Sequence, residues 1–75
     1  MRSLSEIAYE IKKIWVPVNP YARPYLDAMC ELDSIEDKYI YDSGKSIVLH
    51  FLANAGGWRG EDARRIKKEL KDMCK

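Results

Sequence analysis

Apolar residues recur at three- and four-residue intervals through three stretches of this chain, and between those stretches stand the prolines and glycines that helix interiors exclude. Leu4, Ile7, Ala8, Ile11, Ile14 and Trp15 form the first set, Ile47, Val48, Phe51, Leu52 and Ala55 the second, and Ala63, Ile66, Leu70, Met73 and Cys74 the third. That period puts each set on one face of an α-helix, so the expected fold class is all-α. At 75 residues the chain makes a single domain, residues 1–75. This is near the lower limit at which one apolar core holds a fold without staples, so most apolar positions are needed for packing and few remain for a deep pocket.

The boundaries follow from local chemistry. Ser3 and Glu6 have the spacing of a capping box, and Pro17 and Pro20 end the first helix at Val16 because neither can continue it. A second helix is expected from Pro20 or Pro24 to Leu32, with proline confined to its first turn and Leu26, Met29 and Cys30 inward. From Asp33 to Ser43 the helical pattern stops. Ile35, Tyr39 and Tyr41 alternate like a short extended piece, but with no second strand for it to pair with the segment is expected to be an ordered loop. Asp42 and Ser43 offer N-caps for a third helix reaching Ala55, with Leu49 at the margin of its apolar face. Gly56 and Gly57 are expected to end it in the left-handed conformation. Trp58, five residues before Ala63, has the spacing of a hydrophobic staple onto a fourth helix that runs from Gly60 to Cys74. The result is a small bundle of about four helices with the third as its buried centre.

Charge is unevenly spread although the formal net charge is only +1: residues 25–43 hold six acids against one lysine, whereas both ends of the chain are basic. On the fourth helix Arg64, Lys67, Lys68 and Lys71 fall on one stripe, with Arg59 just before it. Arg65 instead has Glu61 four residues before it and Glu69 four after, and is expected to find its partners within its own helix. Like charges at i,i+4 on the stripe repel by a few tenths of a kcal/mol per pair unless something anionic lies opposite. The stripe is open to three readings: a solvated face, a contact for a protein partner or for the chain's own acidic loop, or a nucleic-acid contact. The helix–glycine turn–basic helix outline allows the last, but the turn is long and Glu61 and Asp62 at the helix start repel phosphates.

No other group of residues assembles chemistry. His50 stands alone on the third helix and reads as a structural, partly exposed histidine. Cys30 and Cys74 match no zinc or redox spacing and are expected to be reduced thiols packed as small hydrophobes. The acids Asp27, Glu31, Asp33, Glu36, Asp37 and Asp42 lack the pattern of a calcium loop and read as a solvated face or the counterpart of the basic helix. Tyr21, Tyr25, Tyr39 and Tyr41 are expected mostly to fill the rim of the core. Ser43-Gly44-Lys45-Ser46 resembles the end of a phosphate loop, but the first glycine of that motif would fall at Tyr39. No metal, cofactor or catalytic pair is implied. The longest uncharged run, Ser46–Trp58, is too short for a membrane span, and Met1 leads into an amphipathic segment rather than a leader, so a cytoplasmic setting is expected.

Tyr41-Asp42-Ser43-Gly44, Ser46-Ile47-Val48, Phe51-Leu52-Ala53-Asn54 and Trp58-Arg59-Gly60-Glu61, followed by Ala63-Arg64 and Glu69-Leu70-Lys71, resemble a pattern in short uncharacterised proteins of bacteriophages, prophages and related mobile elements. The resemblance covers residues 41–71. It implies a mobile-element setting and supplies no activity or site. The expectation is therefore a non-enzymatic accessory protein that binds another protein, with a small nucleic-acid-binding protein using Arg59, Arg64, Lys67, Lys68 and Lys71 as the alternative.

Overall fold

The computed structural model describes residues 2–75. Its elements are α1 (Leu4–Ile14), α2 (Arg23–Met29), β1 (Lys38–Tyr39), β2 (Asp42–Ser43), α3 (Gly44–Ala53) and α4 (Glu61–Met73). The four helices are those expected, each slightly shorter than its apolar pattern. The helical class holds with one correction: β1 and β2 pair antiparallel, Lys38 opposite Ser43 and Tyr39 opposite Asp42. The alternation around Tyr39 thus has a partner after all, supplied three residues later at Asp42 by the same segment folding back on itself.

α1 begins as its capping box requires. Ser3 Oγ accepts from the Glu6 amide at 3.2 Å, and the Glu6 carboxylate accepts from the Ser3 amide at 3.1 Å. Two further first-turn amides would lack partners in an isolated helix; here Leu4 N–H donates to the Asp33 carbonyl and Ser5 N–H to that of Leu32, at 3.0 and 2.9 Å. The start of α1 is thereby tied to the chain leaving α2. The same loop caps α3, whose Gly44 and Lys45 amides donate to the carbonyls of Asp37 and Ile35 at 2.6 and 2.9 Å, while Ser43 Oγ accepts from Ser46 N–H at 3.2 Å. A β-carbon on Gly44 would stand 2.6 Å from the Ser34 carbonyl oxygen and 2.9 Å from Ile35 Cα, so only glycine admits this approach. The phosphate-loop likeness of residues 43–46 dissolves here, because the amides that would cradle a phosphate already bond the loop.

The core gathers Leu4, Ile7, Ala8 and Ile11 from α1, Leu26, Ala28 and Met29 from α2, Ile47, Val48 and Phe51 from α3, and Ala63, Ile66, Leu70 and Met73 from α4, with Ala22, Leu32, Ala55 and Trp58 from the connections. Several residues expected inside are not fully there. Ile14 is 40% exposed because it ends α1 beyond the reach of the packed face. Cys30, Leu52 and Cys74 are half-buried at the core margin. Leu49 stands outside.

The end of α3 also differs from expectation. Gly56 and Gly57 do not take the left-handed conformation; the only glycine with positive φ is Gly60, at φ 111°. α3 closes instead through Asn54, whose side-chain amide donates to the His50 carbonyl at 2.9 Å. Gly60 is the N-cap of α4 with ψ near 180°, a backbone region open essentially to glycine alone.

Candidate interaction surfaces

α4 turns Ala63, Ile66, Leu70 and Met73 inward, which leaves its remaining faces to charge. Arg64, Lys67, Lys68 and Lys71 border one shallow groove with Asp72 and Lys75, so the structure brings together four of the five predicted contact residues. Arg59 lies near enough to help depress the pKa of Lys67. None of the five forms an ion pair among the described residues. Lys67 nevertheless has a structural task. Its Nζ donates to the Trp58 carbonyl at 2.7 Å and lies 6.0 Å from the centre of the Trp58 ring. Burial foremost, then Lys71 and Arg59, push its pKa below the usual lysine value. The acidic segment does not reach this stripe: its only ion pair among the described residues runs from Asp27 to Lys12, at 2.8 Å.

Arg65 finds only one partner in its own helix, and not one that the spacing suggested. It pairs with Glu10 of α1 at 2.9 Å and with Asp62 at 3.3 Å. Glu69, one of its expected partners, is taken by Arg2, whose guanidinium grips that carboxylate through two nitrogens at 2.6 and 3.1 Å and reaches Glu10 at 2.5 Å. Arg2 and Arg65 thus share Glu10, and the network ties the chain's beginning and α1 to α4. Sequence spacing could not reveal it, since Arg2 and Glu69 lie 67 positions apart.

The hydrogen bonds from Arg65 and then Arg2 hold the Glu10 carboxyl below its ordinary pKa. A lowered folded-state pKa contributes stability that is complete above the unfolded value of about 4.3 and is lost as pH falls through the depressed value. Urea midpoints from neutral pH down to about pH 2.5 should therefore decline below about pH 4.3. Glu10→Gln should lower the neutral plateau by on the order of 1 kcal/mol, the scale of partly exposed pairs, and flatten part of the acid limb. Glu6, held low by the Ser3 amide, retains its share of the decline. An unchanged acid limb in Glu10→Gln would mean the network carries no stability.

The hairpin exposes a different kind of surface. Tyr39 and Tyr25 are half-buried against the core, as rim residues should be, whereas Tyr41 is 94% exposed and Tyr21 77%. Ile40, beside Tyr41 at the turn, is 75% exposed and holds φ at +60°. Sequence reasoning missed Ile40, although an apolar pair at a turn between two polar strands was a signal. Asp37 belongs to the scaffold, its carboxylate accepting from the Asp33 and Ser34 amides at 3.0 and 3.1 Å, but Glu36 and Asp42 point to solvent.

His50 is exposed and stacks on Tyr25, with ring centres 5.3 Å apart, and its Nδ1 lies 2.7 Å from the Ser46 carbonyl. Both cysteines are free thiols, and burial raises that of Cys74. Among the described residues no cluster of His, Cys, Asp and Glu could hold a metal, and no helix is long and apolar enough to cross a membrane. Comparison with protein-family models, curated proteins and solved structures finds no match.

Proposed function

We propose that this protein is a non-enzymatic interaction protein of phage or mobile-element type, acting in the cytoplasm, that meets a protein partner through the tip of its hairpin. The setting rests on the resemblance of residues 41–71. The scaffold, on this reading, is a small helical bundle centred on α3, supported by the complete burial of Val48 and Phe51 and by the contacts of α3 with α2, α4 and β2.

The observation that carries the reading is the Ile40–Tyr41 tip. A β-branched residue at positive φ costs on the order of 1–2 kcal/mol, and at 75% exposure Ile40 recovers little of this by burial. Glycine, asparagine or aspartate would make the same turn with less strain. Strain together with an exposed aromatic at the same tip fits a contact residue better than a structural one, since tyrosine supplies large contact area with few rotors.

Ile40→Gly should therefore raise stability by about 0.5–1 kcal/mol, because relief of the strained φ outweighs the entropy gained by the unfolded chain. The same change should weaken capture of a partner from host extract. A variant that loses stability, or captures as the parent does, would remove the tip from function. A second reading, nucleic-acid binding, is favoured by the groove of Arg64, Lys68 and Lys71. It requires duplex affinity that falls with salt at a log–log slope of about −0.9 per phosphate and is lost in a Lys68→Gln, Lys71→Gln double variant.

A further inference from the structure

We propose that the hairpin tip docks onto a second copy of this chain, with Ile40 and Tyr41 of one copy seated in the apolar bowl between the end of α1 and the start of α2 of the next. This inference rests on the tip reading above and names the partner. Trp15, Val16, Pro17 and Val18 wall the bowl, and Lys12 and Arg23 stand at its edge. Val16 is 74% exposed, an apolar wall left in water.

Size, charge and placement all favour this occupant. The bowl holds about 270 Å³, below the roughly 300–1,000 Å³ of small-molecule sites, which suits one or two side chains better than a cofactor. Aromatic anchors entering such pockets are the usual centres of protein interfaces. Among the described residues Glu36, Lys38 and Asp42 around the tip form no ion pair and leave it net acidic, and Arg23 at the bowl has no carboxylate partner, so docking brings opposite net charges together around an apolar centre. In its own molecule the tip stays out of the bowl, since Ile40 and Tyr41 stand 75% and 94% exposed. The contact therefore runs head to tail between copies. A single tip covers much less than the ~800 Å² per partner of stable complexes, so the association is weak and concentration-dependent.

Sedimentation of the purified full chain between about 10 µM and 1 mM, a range suited to weak complexes, tests this. The mean mass should rise with concentration. Tyr41→Ser and Val16→Asp should each weaken association at least tenfold while melting like the parent, since both positions are largely exposed. Mixed in equal amounts, the two variants should associate again, because each keeps the half the other lacks, and Leu49→Ser should leave association untouched. A chain monomeric throughout, variants that associate as the parent does, or a mixture that stays monomeric would overturn the second copy as occupant. If the chain is monomeric yet Tyr41→Ser abolishes capture from extract, the inference falls while the tip reading stands. If Tyr41→Ser changes neither, both fall.

Discussion

Deleting residues 2–16 should abolish cooperative unfolding. The segment contributes Leu4, Ile7, Ala8 and Ile11, all with no exposed surface, and the three larger side chains are each worth roughly 1.5–3 kcal/mol of burial. That sum meets or exceeds the few kcal/mol of net stability a chain of this size commands. The deletion also removes Trp15 from its stack on Trp58, Arg2 and Glu10 from their network with α4, and the two α1 amides that bond the Leu32 and Asp33 carbonyls. Residues 17–75 should show a shallow, non-cooperative thermal trace by circular dichroism and collapsed amide dispersion by NMR. A sharp melt with dispersed signals would make α1 an appendage and the core a three-helix affair.

Features written within a few residues of one another were legible in the sequence. The Ser3–Glu6 capping box, the Ser43 cap, the inward residues of α1 as far as Ile11 and of α4 as far as Met73, and the burial of Trp58 all follow from spacing or side-chain type, because helix geometry is fixed by backbone hydrogen bonding and solvent exclusion. What escaped depends on approach in space. The alternation around Tyr39 was visible but its two-residue partner strand was not, because the fold-back is held by the Gly44 and Lys45 amides reaching back to Asp37 and Ile35. Gly56 and Gly57 misled because glycine permits positive φ without requiring it, and Asn54 already satisfies the end of α3. Gly60, where the backbone does demand glycine, carries no stronger sign in the sequence than its neighbours.

The contact residues divide along the same line. That Arg64, Lys67, Lys68 and Lys71 share a face was legible, since one helix carries them. That Lys67 serves the Trp58 carbonyl, and that Arg65 serves Glu10, was not, because those partners come from a preceding turn and from another helix. The spacing rule assigned Arg65 to Glu61 and Glu69, but an i,i+4 pair is worth only a few tenths of a kcal/mol. A carboxylate shared by two guanidiniums at a helix–helix seam readily outcompetes it.

Trp58→Ala should cost about 3–5 kcal/mol, the range for removing a large aromatic from a core. Trp58 is 6% exposed. Its ring lies parallel to that of Trp15, tilted by 8° with centres 5.2 Å apart, and Trp15 in turn meets Phe51 edge-on at 6.1 Å. The expected staple onto Ala63 is thus overshadowed by a contact with the end of α1, and the three rings join α1, α3 and the turn before α4. Trp58→Phe, which keeps a ring in the stack, should cost markedly less. A cycle with Trp15→Ala should return a coupling of about 0.5–1.5 kcal/mol beyond area burial. Lys67 supplies a second readout. Burial is the main cause of its lowered pKa and the Trp58 ring is part of that cover, so the smaller ring should let the Lys67 pKa rise toward the ordinary lysine value of about 10.4. Chemical denaturation of the single and double variants measures the stability terms, and NMR titration of the Lys67 side chain measures the other. Parent-like stability in Trp58→Ala would mean that the stack does not hold α4 in place, and the ring would then have to be sought as a contact for a partner.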